Sequence, residues 1–518
     1  MILGDSTPAV TASARGGGSF TLDEVFRRSV ERHPHAPALV DATNRARFTD
    51  GAPRRLTFAE ADRAVTAVAC RLRRMGLPTD AIIGIQLPNI VEAIVAILGV
   101  LRAGMIAAPL PLLWRRADTV TALGRIGARA LVTCGRVGAF DHAQFARQVA
   151  TEVFSIRYVC SFGDTPPDGV VAFADLLAGE TPEPSAPAGR HPEGNGAAHL
   201  ATVTFDVAEG GPVPVARSHD ELLAGGLAVV REGRFAADTD ILSAFAPSSF
   251  AGLGLTLLPW LLTGGTLVLH QPFDPALLMQ QQPECRSSAL ILPAAVAFAC
   301  VDAAAFAGAE GMRVIAAWRA PERLAASPTW RRPDIALVDV PIFGEIGFIP
   351  ARRALGGRPS PIPVGAAERP LQEGAGMAVE AVRTDRGTVA LRGAMVPRHA
   401  FPPGIAHSEL PHLKIGSDGF VDTGYACRVD SASKALVVTA PPLGIVSVGG
   451  YRFAFRDLQS VVGGIDDAAT LAALPDPLVG QRLIGNAADR LRMQTGLDGF
   501  GANPLVVAAF RDRSARGV

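Results

Sequence analysis

Short apolar runs at 82–87, 105–110, 130–133, 157–159 and 200–204 are each too brief for a helix, and stretches with helical spacing separate them. That alternation constrains the fold more than any other feature. Runs buried on both faces and joined by helices predict largely parallel sheets, an α/β class. The pattern opens with helical spacing at Leu22, Val25, Phe26 and Val30. A strand-like Leu56-Thr57-Phe58 follows, with Thr57 as N-cap of a helix running to Met75 and closed by Gly76. Pro88-Asn89 leads from the 82–87 strand into an apolar helix that starts at Ile90 and is ended by Arg102-Ala103-Gly104. After a Pro/Gly-rich connector near 180–198 the alternation resumes at 267–269, 289–292, 314–317 and 335–340. From Gly387 onward short strands and turns take over. A small α+β unit is expected over 433–518, behind a large domain over 20–432, and the small, polar, Gly-rich residues 1–19 read as a disordered tail.

Lys+Arg and Asp+Glu both number 49, so no excess positive charge draws the chain to phosphate backbones, and no nucleic-acid partner is expected. The balance hides an asymmetry: Lys414 and Lys434 are the only lysines, so no lysine chemistry can come from the first 413 residues. Six cysteines (Cys70, Cys134, Cys160, Cys285, Cys300, Cys427) are scattered without a C-x-x-C pair or a His cluster at ligand spacing. They predict buried thiols of a reducing compartment and no metal site. With no basic-then-apolar leader pattern, a cytoplasmic location is expected. Residues 241–269 carry no charged side chain, yet Pro259 and Gly264-Gly265 interrupt them. A buried helix, a Gly turn and a core strand are predicted there rather than a membrane span.

Leu56-Thr-Phe-Ala-Glu-Ala-Asp62, Gln86-Leu-Pro-Asn89, Leu101-Arg-Ala-Gly104 and Leu262-Thr-Gly-Gly-Thr-Leu-Val-Leu269 with Phe273-Asp-Pro275 occur in that order. Gly387-Thr-Val-Ala-Leu-Arg-Gly393, Asp418-Gly-Phe-Val-Asp-Thr-Gly424 and Gly449-Gly-Tyr-Arg-Phe453 follow. In this order they resemble the adenylate-forming superfamily of acyl-CoA synthetases, aryl-CoA ligases and peptide-synthetase adenylation domains. The resemblance implies an N-terminal domain of two α/β subdomains with parallel sheets and a small β-rich subdomain, then a small, shortened α+β C-terminal domain. It also implies ATP-dependent activation of a small-molecule carboxylic acid as acyl-AMP, followed by thioester formation with CoA, using ATP and Mg.

Matched residue by residue, the nucleotide positions depart from the family. The phosphate loop, which in the family resembles T-S-G-T-T-G-x-P-K-G before a Ser-His pair, spans Phe205 to Pro214 before Ser218-His219. Asp206, Ala208 and Glu209 replace hydroxyl donors, Gly210 is kept, and Val213 stands at the lysine position. Carboxylates about 4 Å from a polyphosphate would each cost a few kcal/mol at an effective dielectric near 20. A magnesium ion bridging Asp206 or Glu209 to phosphate is one alternative; an ordinary surface hairpin is another. The aromatic-Gly-x-Thr-Glu motif becomes Phe343-Gly344-Glu345-Ile346-Gly347, with Gly347 at the metal-binding Glu position and Glu345 two residues early. The Gly-Gly-Ala-Pro segment reads Trp318-Arg319-Ala320-Pro321, where Trp318 is expected to fill the space of the base. The ribose-binding Thr-Gly-Asp reads Thr423-Gly424-Tyr425, and a phenol cannot accept two ribose hydroxyls as a carboxylate does. The family's hinge stretch, which resembles Gly-Arg-x-Lys-Asp, reads Ala440-Pro441-Pro442-Leu443-Gly444, with neither the Arg nor the hinge Asp, and no lysine follows Lys434.

These departures predict a catalytically impaired relative of acyl-CoA synthetases that keeps the fold and an apolar acid pocket. An active fatty- or aryl-acid–CoA ligase with atypical site residues would instead need Asp206, Glu209 and Glu345 to converge. A non-catalytic partner of an active synthetase or acyl-carrier protein, or a homo-oligomer, would need an exposed apolar patch over the cleft. No G-x-S-x-G elbow is present to support serine catalysis.

Overall fold

The computed structural model describes residues 20–177, 196–284, 287–302, 311–354, 356–366 and 379–511. The expected tail over 1–19 and most of the connector over 180–198 lie outside the described residues, as does Cys285. Two α/β sheets carry the large domain. In the seven-stranded sheet, Leu200–Ala208, Ile106–Pro109, Ile82–Gln86, Ala130–Thr133, Tyr158–Ser161 and Val170–Ala172 run parallel, and Gly211–Ser218 closes one edge antiparallel. In the nine-stranded sheet the central strands Ala336–Phe343, Arg313–Trp318, Ala289–Pro293, Ile241–Ser243, Leu267–Leu269 and Pro37–Val40 are parallel.

The main core lies between these sheets and is filled by helices Leu22–Arg32, Phe58–Arg74, Val91–Arg102, His219–Gly233 and Leu258–Thr263. Every residue of Val91–Arg102 is buried, as its all-round apolar sequence requires. Arg102, at its end, is neutralised by Asp23 and Asp62. Capping boxes start three of the helices: Thr21 with Glu24, Thr57 with Glu60, and Ser218 with Glu221. The uncharged run over 241–269 is a core strand, a continuous helical stretch from Phe250 to Thr263 with a π turn at Leu253–Leu257, a left-handed Gly264 and the strand Leu267–Leu269. No helix among the described residues is long and apolar enough to cross a membrane.

A six-stranded antiparallel sheet follows, with Val421–Val429 at its centre. It extends past the boundary expected at 433, because Ala435–Ala440 pairs with Val421–Val429. The small unit therefore begins beyond Pro441-Pro442. Its four strands, Ile445–Val448, Tyr451–Ala454, Thr470–Asp476 and Gly480–Asn486, pack against helices Phe455–Ile465 and Arg490–Phe500 around a separate core.

Candidate functional site

The segment matched to the phosphate loop is a tight hairpin. Strands Leu200–Ala208 and Gly211–Ser218 pair as far as Ala208 and Gly211, leaving Glu209-Gly210 as the turn. Asp206 stands opposite Val213, and Val207 opposite Pro212. A phosphate cradle needs several free N–H groups aimed at one point. Here the ladder takes part of them, Val207 N and Gly210 N are given to the Asp206 and Asp457 carboxylates, and Pro212 and Pro214 have none to offer.

The Asp206 carboxylate is held from three directions. Its Oδ1 accepts from Val207 N at 2.7 Å and ion-pairs with Arg452 of the small domain, while its Oδ2 accepts from Glu345 N at 3.0 Å. Gly344 lies flush against this pair at φ +57°, where a Cβ would collide with both Arg452 Nη1 and Asp206 Oδ2. At the turn, Gly210 N donates to Asp457 Oδ2 at 2.9 Å, and the exposed Glu209 meets Arg456 at 3.5 Å. On the other side of the cleft Leu113 N donates to the Tyr451 hydroxyl at 3.2 Å, and Arg323 Nη1 donates to the Asp476 carbonyl at 2.8 Å. The small domain is thus docked directly on the hairpin.

Behind the ion pair, Phe343 is fully buried and meets the Tyr425 ring edge-on, with centroids 5.5 Å apart. Burial pushes the Tyr425 phenol up to about 12. Thr423 Oγ1 donates to the Val389 carbonyl at 2.7 Å, so its hydroxyl proton is already spent within the sheet. Glu345 sits in the turn after Phe343, and its Oε2 accepts from Phe250 N at 2.7 Å. Arg217 stacks 3.6 Å from the Phe250 ring centroid and donates to the carbonyls of Glu345, Ile346 and Met395. Burial raises the Glu345 carboxyl to about 7 and lowers Arg217 to about 10. Gly347 pairs with Phe343 and lies beside Leu391, away from any carboxylate cluster.

Trp318 requires a correction. Strand alternation turns its indole to the rear of the sheet, where Nε1 donates to Asp339 Oδ1 at 2.7 Å beside the buried Asp339–Arg353 pair. The side chain that enters the cleft is the next one, Arg319, whose guanidinium lies 4.9 Å from the Phe245 ring centroid and against Gly450. Sequence reasoning passed over Arg217, Arg319 and Arg452. The available signal was an arginine in the Gly-Gly-Ala-Pro segment and another two residues after Gly450.

The remaining positions are dispersed. Val213 is buried in the ladder, Leu443 is fully exposed in the linker, and Lys434 occupies the turn before Ala435–Ala440. Ser218 and His219 are structural: the first caps a helix, and Nδ1 of the second accepts from Leu22 N at 3.1 Å. Among the described residues no group of three His, Cys, Asp or Glu side chains could hold a metal ion. Asp206 meets only the backbone of Glu345, and Glu209 points outward to Arg456. These residues do not reproduce the family's nucleotide donor set: Val207 N and Gly210 N are given to Asp206 and Asp457, and Tyr425 and Arg319 stand where the family keeps an Asp and a Gly.

The chain belongs to the AMP-binding enzyme family, whose pattern matches residues 26–332. ATP is the nucleotide of that family. Curated relatives include the salicyl-AMP ligase / salicyl-S-ArCP synthetase of Mycobacterium tuberculosis, 28% identical over 51% of this chain and 45% of that protein. Long-chain fatty acid transport protein 1 of Bos taurus is 34% identical over 30% of this chain and 22% of its own length. A beauvericin synthetase of Gibberella fujikuroi is 36% identical over 17% of this chain and 2% of its own. The matches thus span less than half of each relative. Among solved structures, the amide bond synthetase McbA of Marinactinospora thermotolerans aligns over 94% of both chains with a TM-score of 0.68 at 20% identity. ATP-bound MatB of Rhodopseudomonas palustris aligns over 93% of this chain and 92% of its own, with a TM-score of 0.57 at 18% identity. At such identities the likeness is one of fold, and it agrees with the expected α/β architecture.

Proposed function

We propose that this chain is a catalytically impaired member of the family, one that binds a carboxylic acid without activating it through ATP. The observation that carries the reading is the Asp206–Arg452 pair, which fills the phosphate position with a carboxylate already neutralised by the protein. The charge that Arg452 brings from the small domain is already balanced by that carboxylate, which leaves little of it for a phosphate. The apolar, aromatic wall around Phe245 and Phe250 suits a fatty or aryl acid, in keeping with the acids named for the relatives. We place the protein in the cytoplasm, with CoA as no more than a family inheritance and an acyl-carrier protein as the partner class to try first.

The test is ATP–pyrophosphate exchange with short, long and aromatic acids, run beside calorimetry with millimolar ATP·Mg. No exchange above the enzyme-free blank and no heat of binding are expected. Exchange with any acid would overturn the reading in favour of an active fatty- or aryl-acid ligase with atypical residues.

A further inference from the structure

One cation between the two domains has no hydrogen-bonded or ion-paired partner among the described residues. Arg319 follows the strand Arg313–Trp318, at the carboxyl ends of the parallel strands, the edge where open α/β sheets take their ligands. One part of its guanidinium lies over Phe245, and another abuts Gly450 of the small domain. Among the described residues no hydrogen-bond or ion-pair partner reaches it. Arg217 and Arg452 differ: the first is committed to three carbonyls and sealed from solvent, the second to Asp206. Arg319 is only half-buried. Yet protein surrounds it so closely that burial, its largest influence, pushes its pKa down, with Tyr451 and Glu345 acting the other way. A side chain enclosed by protein and still touched by solvent lies on the floor of a cleft. Water reaches part of this guanidinium, and an anion taking the place of that water would pair with a charge the protein leaves unbonded.

A second donor stands beside it. The Tyr451 hydroxyl accepts from Leu113 N, so its own proton is directed elsewhere, and Tyr451 is the first charge influence on Arg319 after burial. We propose that Arg319 and Tyr451 form an oxyanion site that holds the carboxylate of a small monocarboxylic acid between the two domains, with Phe245 against the acid's apolar body. This rests on the reading of an acid-binding member that does not activate ATP, and it assigns that reading its anchor. The planar fork of arginine matches a carboxylate in two parallel hydrogen bonds. A single guanidinium balances one negative charge. A doubly charged phosphate would carry excess charge toward Asp206 and Glu345, which already face this cleft. Because Gly450 and Tyr451 belong to the small domain, the acid would be held only while that domain is docked.

The test titrates the full chain with sodium benzoate, sodium hexanoate and inorganic phosphate, reading calorimetric affinity and the thermal midpoint. Wild type is expected to bind a carboxylate and gain stability, with phosphate inert. Arg319→Gln should weaken binding roughly 10- to 100-fold, and Arg319→Lys, which keeps charge but loses the fork, should fall between. Tyr451→Phe, which removes one oxygen, should weaken it roughly tenfold. Arg319→Lys and Tyr451→Phe keep the question decidable if Arg319→Gln does not fold. No carboxylate binding by wild type, equal binding by the variants, or phosphate binding as well as benzoate would overturn the site. A parallel ATP·Mg titration separates the two proposals: ATP binding sinks the impaired reading, whereas unchanged benzoate binding in Arg319→Gln sinks the anchor alone.

Discussion

Removing the charge of Asp206 should release the small domain. The carboxylate and Arg452 keep side-chain exposures of 12% and 17%, so the pair is mostly but not wholly out of water. A fully buried pair costs about 3–5 kcal/mol when one partner is removed, and an exposed pair about 0–1 kcal/mol. An intermediate coupling of about 2–3 kcal/mol follows for this geometry. Asp206→Asn removes the charge and keeps an acceptor for only one of the Val207 and Glu345 N–H donors, which use different oxygens; Arg452→Gln removes the partner alone and leaves both of those bonds in place. The Gly210 amide reports on docking, because it donates across the domain boundary to Asp457. Either substitution should raise the opening equilibrium seen by hydrogen exchange at Gly210 by roughly 30- to 150-fold. The linker around the fully exposed Leu443 should be cut faster by protease as well. The double variant should exchange little faster than either single one, since both remove the same interaction. Single effects below threefold, or effects that simply multiply in the double variant, would refute the idea that this pair holds the domain down.

Three further outcomes follow from buried polar groups. Burial raises the Glu345 carboxyl to about 7 from its ordinary 4.5, so folded protein binds the proton more tightly than unfolded protein. Its penalty is absent below the unfolded value and grows as pH rises through about 7, to an order of 3 kcal/mol. Glu345→Gln should therefore flatten that fall in urea-unfolding stability between pH 4.5 and 7, and an unchanged profile would assign the titration elsewhere. Trp318→Phe removes the 2.7 Å bond to Asp339 while Arg353 remains, and should lower urea stability by about 1–2 kcal/mol without altering benzoate affinity. Arg45 is buried between Asp41 and Glu92, at 2.6 and 2.7 Å, so Arg45→Met takes the only ion-pair partner from Asp41 among the described residues, leaves Glu92 with Arg54, and should cost about 3–5 kcal/mol, measured by denaturant midpoint.

The sheets were legible because their signal is local. Residues 82–87 were expected as a strand and fold as Ile82–Gln86, and Gly264 terminates its helix where the Gly-Gly pair indicated. Thr57 is the N-cap it was expected to be. The domain boundary was misplaced because Ala435–Ala440 has the same short-strand texture as the small unit, and only its pairing with Val421–Val429 assigns it. The site was harder to read. Asp206 and Arg452 lie 246 residues apart, and no spacing rule connects them. Matching single positions to the family flagged Asp206 as a misfit with phosphate, yet gave no hint that the protein itself supplies its counter-ion. Trp318 was misread for a different reason: one step along a strand reverses facing, so the bulky residue went to the core and the neighbouring arginine to the cleft.

The hairpin register also couples the positions matched to the family's phosphate loop. Asp206 and Val213 are direct cross-strand partners, so their side chains rise from the same face of the ladder. A lysine restored at 213 would emerge beside the Asp206 carboxylate and compete with Arg452 for it, instead of reaching open space. Reversing Asp206 first would strand Arg452, and Gly344 is shaped to both. Positions 206 and 213 are thus coupled through Arg452 and Gly344, and a change at either one alone disturbs the contact that joins the hairpin to the small domain.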